Sequence, residues 1–397
     1  MIIQKLLKRL WLISIICAFG NSTCNTIIKY SEYSRPELPF SQDLQDAIDQ
    51  VLSLYPDYGL GISAAVIVPE YGWWTGASGY SHHGALITTD MVFEVGSIVK
   101  NFEAALILKL AEDELLSLDD PIMKYLPTYP KVDGEITIRQ LLNHTSGVFN
   151  VFDHPDFPWV GSDVDYAREW KREEVIRDFV LEPYGPPGYA QHYSSTNYLL
   201  VTAIIEEAVG STVPDEIERY FIKPMMLEHT FVSMGEQPPD KYCLAHPWAD
   251  IDRDGILDDL YGIPRTWIAS LTHPVIFSTP TDLARWMNAL YYEGSVIRSD
   301  SLAEMLTYPN TTLRDPDGGK YGLGVIDYTD ALDMKAIGHG GSSLGYSAAA
   351  LYLPEFNISI AWLLNIGESP QELAGQMMYD TWLALADVLR MNQKILP

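Results

Sequence analysis

Apolar positions first recur at helical spacing over Asp43–Leu54, where Leu44, Ile48, Val51 and Leu52 share one face. The period then changes. Leu60–Val68 is an almost unbroken apolar run, Tyr71-Gly72 supplies a turn, and Trp73–Tyr80 resumes, which predicts a β-hairpin. Ile98–Leu116 is apolar on nearly every side and predicts a buried helix, stopped by Asp119-Asp120-Pro121. Between 121 and 270, short helical patterns (Ile138–Leu142, Glu173–Val180, Tyr198–Ala208) alternate with Pro- and Gly-rich loops such as Pro183–Gly188. Thr281–Tyr292 predicts another amphipathic helix. Met334–Ile337, Ser347–Leu353 and Ile358–Leu364 are short β-type runs, and Glu372–Met391 closes the chain as a long helix. Strands at both ends with helices between them predict an α+β fold. One antiparallel sheet draws on both termini and is flanked by helices, with a mainly helical lobe inserted. On this reading 40–100 and 271–397 form the α/β lobe, and 101–270 the helical lobe with an acidic loop insertion. No internal repeat is present.

The N-terminus changes the picture of location. Lys5, Lys8 and Arg9 precede the apolar run Leu10–Phe19, too short for a membrane span, and Ala18-Phe19-Gly20 suits cleavage. Residues 1–20 thus predict a signal peptide and an exported protein, periplasmic or extracellular, with 21–39 as a polar lead. Cys24 adds a candidate lipid anchor at the membrane, although Asn21-Ser22-Thr23 before it suit that processing poorly. Cys17, Cys24 and Cys243 are the only cysteines, so there is no disulfide framework and no Cys-x-x-Cys metal site.

The 397 residues are 47% hydrophobic and 20% charged, ample for a large core. A formal net charge of -27 argues against nucleic acid as a partner, since basic patches supply that affinity. It favours solubility without naming a substrate.

Candidate chemistry begins at Ser97-Ile98-Val99-Lys100, which follows Gly96 and opens the buried helix. Positions i and i+3 share a helix face, so the Lys100 amine can lie against the Ser97 hydroxyl. A serine hydroxyl is a weak nucleophile that needs an adjacent base, and a lysine serves once burial lowers its pKa. The other reading of these four residues is a serine helix cap followed by a solvated lysine.

The stretch Phe93-Glu94-Val95-Gly96-Ser97-Ile98-Val99-Lys100 resembles the active-site segment of the serine β-lactamase and D-Ala-D-Ala carboxypeptidase superfamily. It looks closest to the class C β-lactamase branch with its esterase and peptidase relatives. Leu116–Pro121, Leu141-Leu142-Asn143-His144-Thr145-Ser146-Gly147, Ser278–Ala284 and Gly338-His339-Gly340-Gly341 agree with that branch in order and character. The resemblance implies a β-lactamase/transpeptidase-like fold and a serine hydrolase working through an acyl-enzyme on Ser97. It places the catalytic tyrosine of a Tyr-x-Asn segment at Tyr193, and Ser195 stands where Asn is usual, which leans towards esters. Asn197 is a substitute two residues out of register. By the same match His339 lies on an edge strand, where it offers a donor or cation to a substrate carboxylate and tunes Tyr193. Gly341 lets substrate approach, and the oxyanion hole is the N–H groups of Ser97 and Ser342. Lys100 and Tyr193 are then the acid/base pair, and small esters, D-amino-acid peptides or β-lactams the substrates. The rival is a penicillin-binding sensor or pseudoenzyme that acylates without turnover.

Two further patterns compete. Gly341-Ser342-Ser343-Leu344-Gly345 has the spacing of a nucleophile elbow, but no histidine follows Ser343 and the context is strand–turn–strand. Asp250, Asp252 and Asp254 alternate before Gly255, with Asp258 beyond them, as in a calcium loop. Tyr261 takes the place of the terminal Glu, and a solvated acidic turn is the simpler reading. No cofactor is required by the expected chemistry, and a structural calcium ion is the one candidate. Tyr242, Trp248, Tyr261 and Trp267 flank this loop as a substrate wall or as core. His82-His83 reads as a solvated loop pair.

Overall fold

The computed structural model describes residues 37–392 except 57, 70, 160, 162, 268–272, 310–319 and 368–371. The predicted signal, its cleavage site and Cys24 lie outside the described residues. The fold is α+β. An eight-stranded antiparallel sheet runs in the order Lys320–Tyr321, Ile326–Asp327, Ile337–Ser343, Tyr346–Leu353, Ile358–Leu364, Gly61–Val68, Gly72–His82, Ala85–Leu86. An early and a late strand of the chain meet at its centre, where Ala65 lies opposite Ala361.

Both faces of this sheet are covered, which explains why Gly61–Val68 reads as unbroken apolar sequence. Ile62, Ala64, Val66 and Val68 join a cluster with Leu44 and Ile48 of helix Ser41–Ser53 and Met377, Trp382 and Leu385 of helix Leu373–Met391. Ala65 and Ile67 join the opposite cluster, with Leu283, Ala284 and Met287 of helix Pro280–Met287. Each large side chain so buried contributes about 1.5–3 kcal/mol.

The predicted long helix becomes a 3₁₀ turn, Gly96–Ile98, running into helix Val99–Glu112. Eleven of that helix's residues are buried, from Val99 to Leu110. Its polar members are satisfied from neighbouring elements. Asn101 Nδ2 donates to Tyr291 Oη at 2.9 Å and to the Gly324 carbonyl at 2.8 Å, and Trp286 Nε1 donates to Asn101 Oδ1 at 2.8 Å. Thr202 Oγ1 donates to Glu103 Oε1 at 2.7 Å. Thr202 belongs to helix Ser195–Val209, which begins three residues before the predicted Tyr198–Ala208 pattern.

Three expectations need correction. The strand expected at Met334–Ile337 runs instead over Ile337–Ser343. Its glycines and serines carry no apolar signal, and its place is set by the ladder to Tyr346–Leu353. A second sheet, Phe231–Ser233, Val275–Ser278, Met91–Glu94 and Cys243–Leu244, joins residues from both sides of the predicted lobe boundaries. The helix expected over Thr281–Tyr292 is α-helical only through Met287, then winds as a π-helix over Asn288–Glu293. Among the described residues, no helix is long and apolar enough to cross a membrane.

Candidate active site

Strand Met91–Glu94 delivers the chain to Gly96, whose φ of +52° only glycine adopts without strain. The turn that follows presents Ser97 at the head of the buried helix. Lys100 Nζ lies 2.9 Å from Ser97 Oγ, and Tyr193 Oη donates to Ser97 Oγ at 3.0 Å. The Lys100 amine is completely buried, and that burial lowers its pKa to about 7, against the attraction of Glu103 one turn on. The same burial raises Glu103 to about 8. An amine able to lose its proton near neutral pH and a phenol therefore flank one hydroxyl.

Tyr193 is held by the turn at Asn143–Gly147. His144 has a left-handed φ of +59°, and its carbonyl accepts from His192 N at 2.9 Å. Its Nδ1 accepts from Ser194 N at 3.2 Å and lies 3.0 Å from Asn197 Nδ2. The His144 ring sits 4.4 Å from the Tyr193 ring, with Tyr321 at 4.4 Å on another side. Asn197 is fully buried, and Ser146 Oγ donates to its Oδ1 at 2.7 Å. It braces this turn rather than replacing the missing Asn. Ser195 does line the cavity at Ser97, with its N–H donating to Asn150 Oδ1 at 3.1 Å.

The strand Ile337–Ser343 closes the other side. Among the described residues, only Ile337 and Gly338 have ladder partners on its outer edge, which leaves His339–Ser343 without a described strand there. Gly341 and Gly96 allow that edge to meet the serine turn. A Cβ on Gly341 would fall 2.0 Å from the Val95 carbonyl oxygen and 2.9 Å from Ser97 N; one on Gly96 would fall 2.8 Å from Ser342 N. The backbone of Ser342 thus lies beside that of Ser97, and Ser342 lines the cavity.

His339 differs from what the resemblance implies. It is buried, its Nε2 is 2.8 Å from Tyr321 Oη, and its Nδ1 meets the Gly340 carbonyl. Burial and the Lys100 charge drive its pKa down to about 3, so the ring is neutral. A strand alternates its side chains, and here the alternation turns His339 inward to Tyr321. It offers no cation to a carboxylate, and it does not line the cavity.

That cavity, of about 170 Å³, is lined by Ser97, Ser195, Ser342, Glu94, Phe152, Trp159 and His273 among others. The last four were not singled out in the sequence. His273 is buried, its Nε2 is 3.3 Å from Lys100 Nζ, and its pKa falls to about 3 through burial and the Lys100 charge. Its only signal was a lone histidine beside Pro274, just before an apolar strand. Glu94 and Arg265 are both buried and face each other at 3.6 Å, while Ser343 Oγ donates to Glu94. Burial holds the Glu94 pKa up despite Arg265. Ser343 is therefore committed to Glu94, in keeping with rejection of the elbow reading.

The acidic loop is the tip of a hairpin between Trp248–Ala249 and Asp258–Asp259. Asp250, Asp252 and Asp254 bring carboxylate oxygens within 4.8 Å of one another, whereas Asp258 accepts from Ile251 N at 3.4 Å. None of the four lines the cavity at Ser97. Nor do Tyr242, Trp248, Tyr261 or Trp267; the fully buried Trp267 ring backs Trp159 at 5.5 Å instead. His82 is half-buried, stacked on His246 at 3.8 Å, and so is not a solvated loop residue.

The sequence profile described as Beta-lactamase matches residues 50–380. A teichoic acid D-alanine hydrolase of Staphylococcus aureus is 26% identical over 275 residues, 66% of this chain and 62% of that protein, so the match spans less than two thirds of the relative. Among solved structures, a D-stereospecific amidohydrolase from Streptomyces sp. superposes with a TM-score of 0.72 at 26% identity, over 85% of this chain and 97% of the other. A D-amino acid amidase from Ochrobactrum anthropi SV3 gives 0.75 at 22% identity, over 89% and 99%, a likeness of fold alone.

Proposed function

Because the chain belongs to the beta-lactamase family, we propose that it is an exported serine hydrolase that cleaves small D-aminoacyl esters and amides through an acyl-enzyme on Ser97. The observation that carries this reading is the Ser97 hydroxyl held between a buried amine at 2.9 Å and a phenol at 3.0 Å. The Ser97 proton passes to the neutral Lys100 amine as Oγ attacks the substrate carbonyl carbon. The N–H groups of Ser97 and Ser342 receive the developing oxyanion. Tyr193 hands a proton to the departing alcohol or amine and is reprotonated from Lys100. Water then attacks the Ser97 ester, its proton taken by the same pair, and the freed carboxylic acid leaves Ser97 as a hydroxyl.

The names of the relatives support the D-aminoacyl preference, and a cavity of about 170 Å³ suits a small acyl group. Export rests on the N-terminal pattern of charge and hydrophobicity. Intact-mass spectrometry after mixing with D-alanine esters, D-alaninamide and a penicillin tests the whole reading. A transient acyl adduct with released acid, absent in Ser97→Ala, is expected. A permanent penicillin adduct with no turnover of any ester or amide would instead establish the sensor, and an adduct that persists in Ser97→Ala would remove Ser97 from the chemistry.

A further inference from the structure

The Lys100 amine has a second neighbour besides Ser97. His273 enters from the start of the strand Val275–Ser278, and its Nε2 lies 3.3 Å from Lys100 Nζ. Its other nitrogen, Nδ1, lies 3.0 Å from the Pro274 carbonyl oxygen. A carbonyl oxygen can only accept, so Nδ1 carries the proton and Nε2 presents its lone pair to Lys100. One N–H of the lysine is thereby directed at the imidazole. A neutral amine has one lone pair, and with an N–H committed to His273 that lone pair can swing onto the Ser97 hydroxyl 2.9 Å away. Tyr193 donates to Ser97 Oγ from the other side, which leaves the hydroxyl proton free to point at Lys100. The donors and acceptors of four groups therefore fit one direction of proton flow, from serine to lysine.

We propose that His273 is a positioning residue for the hydrolytic reaction, a fixed acceptor that aims the Lys100 lone pair at Ser97 and steadies the ammonium once the proton has arrived. This inference rests on the acyl-enzyme reading above. His273 itself gains and loses no proton. As Lys100 becomes charged, the contact with Nε2 becomes a charge-assisted hydrogen bond, stronger than the one it replaces. The gain thus appears on the way to the transition state and not in substrate binding.

The pH profile of the variants reads this role. The titratable groups around Lys100 are Glu103 on its own helix, His144 from the Asn143–Gly147 turn, Tyr193 and Tyr198, His339 from the edge strand, and His273. Only the last changes in the test. In the full-length protein with a p-nitrophenyl ester and D-alanine p-nitroanilide, His273→Leu is expected to lower kcat roughly 10- to 100-fold with KM nearly unchanged. Its acid limb of kcat/KM should move to lower pH, because the ammonium has lost an acceptor. His273→Gln restores an acceptor and should recover much of kcat and the limb. His273→Phe, which keeps ring volume, should behave like His273→Leu and replaces it if the leucine variant does not fold. Wild-type kcat and an unmoved limb in His273→Leu or His273→Phe would overturn the inference. So would glutamine and leucine variants equally impaired at an unmoved limb, which would mark a packing residue. Ser97→Ala in parallel separates the two levels: activity surviving there refutes the acyl-enzyme reading, whereas activity lost there but retained in His273→Leu refutes only the role of His273.

Discussion

Gly341→Ala offers a sharp test of the site, because one added methyl group has a calculable place to go. Its carbon would fall 2.0 Å from the Val95 carbonyl oxygen and 2.9 Å from Ser97 N, where ordinary contact begins near 3.4 Å. Val95 cannot easily retreat, since its N–H donates to the Ile276 carbonyl at 2.9 Å in the second sheet. The edge strand must therefore back away from the serine turn by roughly 1 Å or more, a shift that costs about 100-fold in rate when it disturbs reacting groups. That shift also separates the Ser342 backbone from Ser97, and a lost oxyanion donor alone costs about 10²–10³ in kcat. Overpacking should remove about 1–3 kcal/mol of stability as well. The assay is kcat/KM on a chromogenic ester beside urea denaturation, with Gly340→Ala as comparison. There the added carbon meets Tyr328 Oη at 3.1 Å and the Ala348 carbonyl at 3.7 Å, a contact the tyrosine can relieve. Activity of Gly341→Ala within about threefold of wild type would refute this account of why the strand and the turn touch.

Two other outcomes follow from buried charge. The proposed mechanism needs Lys100 neutral, and burial has brought its pKa down to about 7. The kcat/KM should therefore rise about tenfold per pH unit on the acid side and level off above about 7; a profile flat down to pH 5 would rule out lysine as the base. Arg265→Met leaves Glu94 buried beside Ser97 without its cation, so denaturant titration should show a loss of about 3–5 kcal/mol, most of it recovered in Glu94→Gln/Arg265→Met. Equal stability of the single variant and wild type would show that the pair is not buried as described.

Much of the fold was legible because its signals are local. A sheet strand covered on both faces must be apolar throughout, and Gly61–Val68 is. A helix buried all round must look like Val99–Glu112. Ser97 and Lys100 share a helix turn, so spacing allowed the pair beside a helix-cap reading and the resemblance decided for it; Tyr193 came through resemblance alone, and the structure brings both to the same oxygen. His339 went astray because a motif names a residue without saying which way its strand turns it. Its ring faces Tyr321, a contact fixed by the Ile337–Ser343 ladder. His273 was silent for the opposite reason: nothing near it in sequence is catalytic, and only the second sheet carries it to Lys100. The glycines at 96 and 341 gain meaning only from each other's backbone.

The central sheet pairs the first described strand, Gly61–Val68, with the last, Ile358–Leu364, and the edge that faces Ser97, Ile337–Ser343, follows Ser97 at a long distance in sequence. A nascent polypeptide emerging N-terminus first therefore carries its serine, lysine and tyrosine long before it has the second wall of the cleft. Ser97 therefore gains its facing edge only after the chain has been made through Ser343.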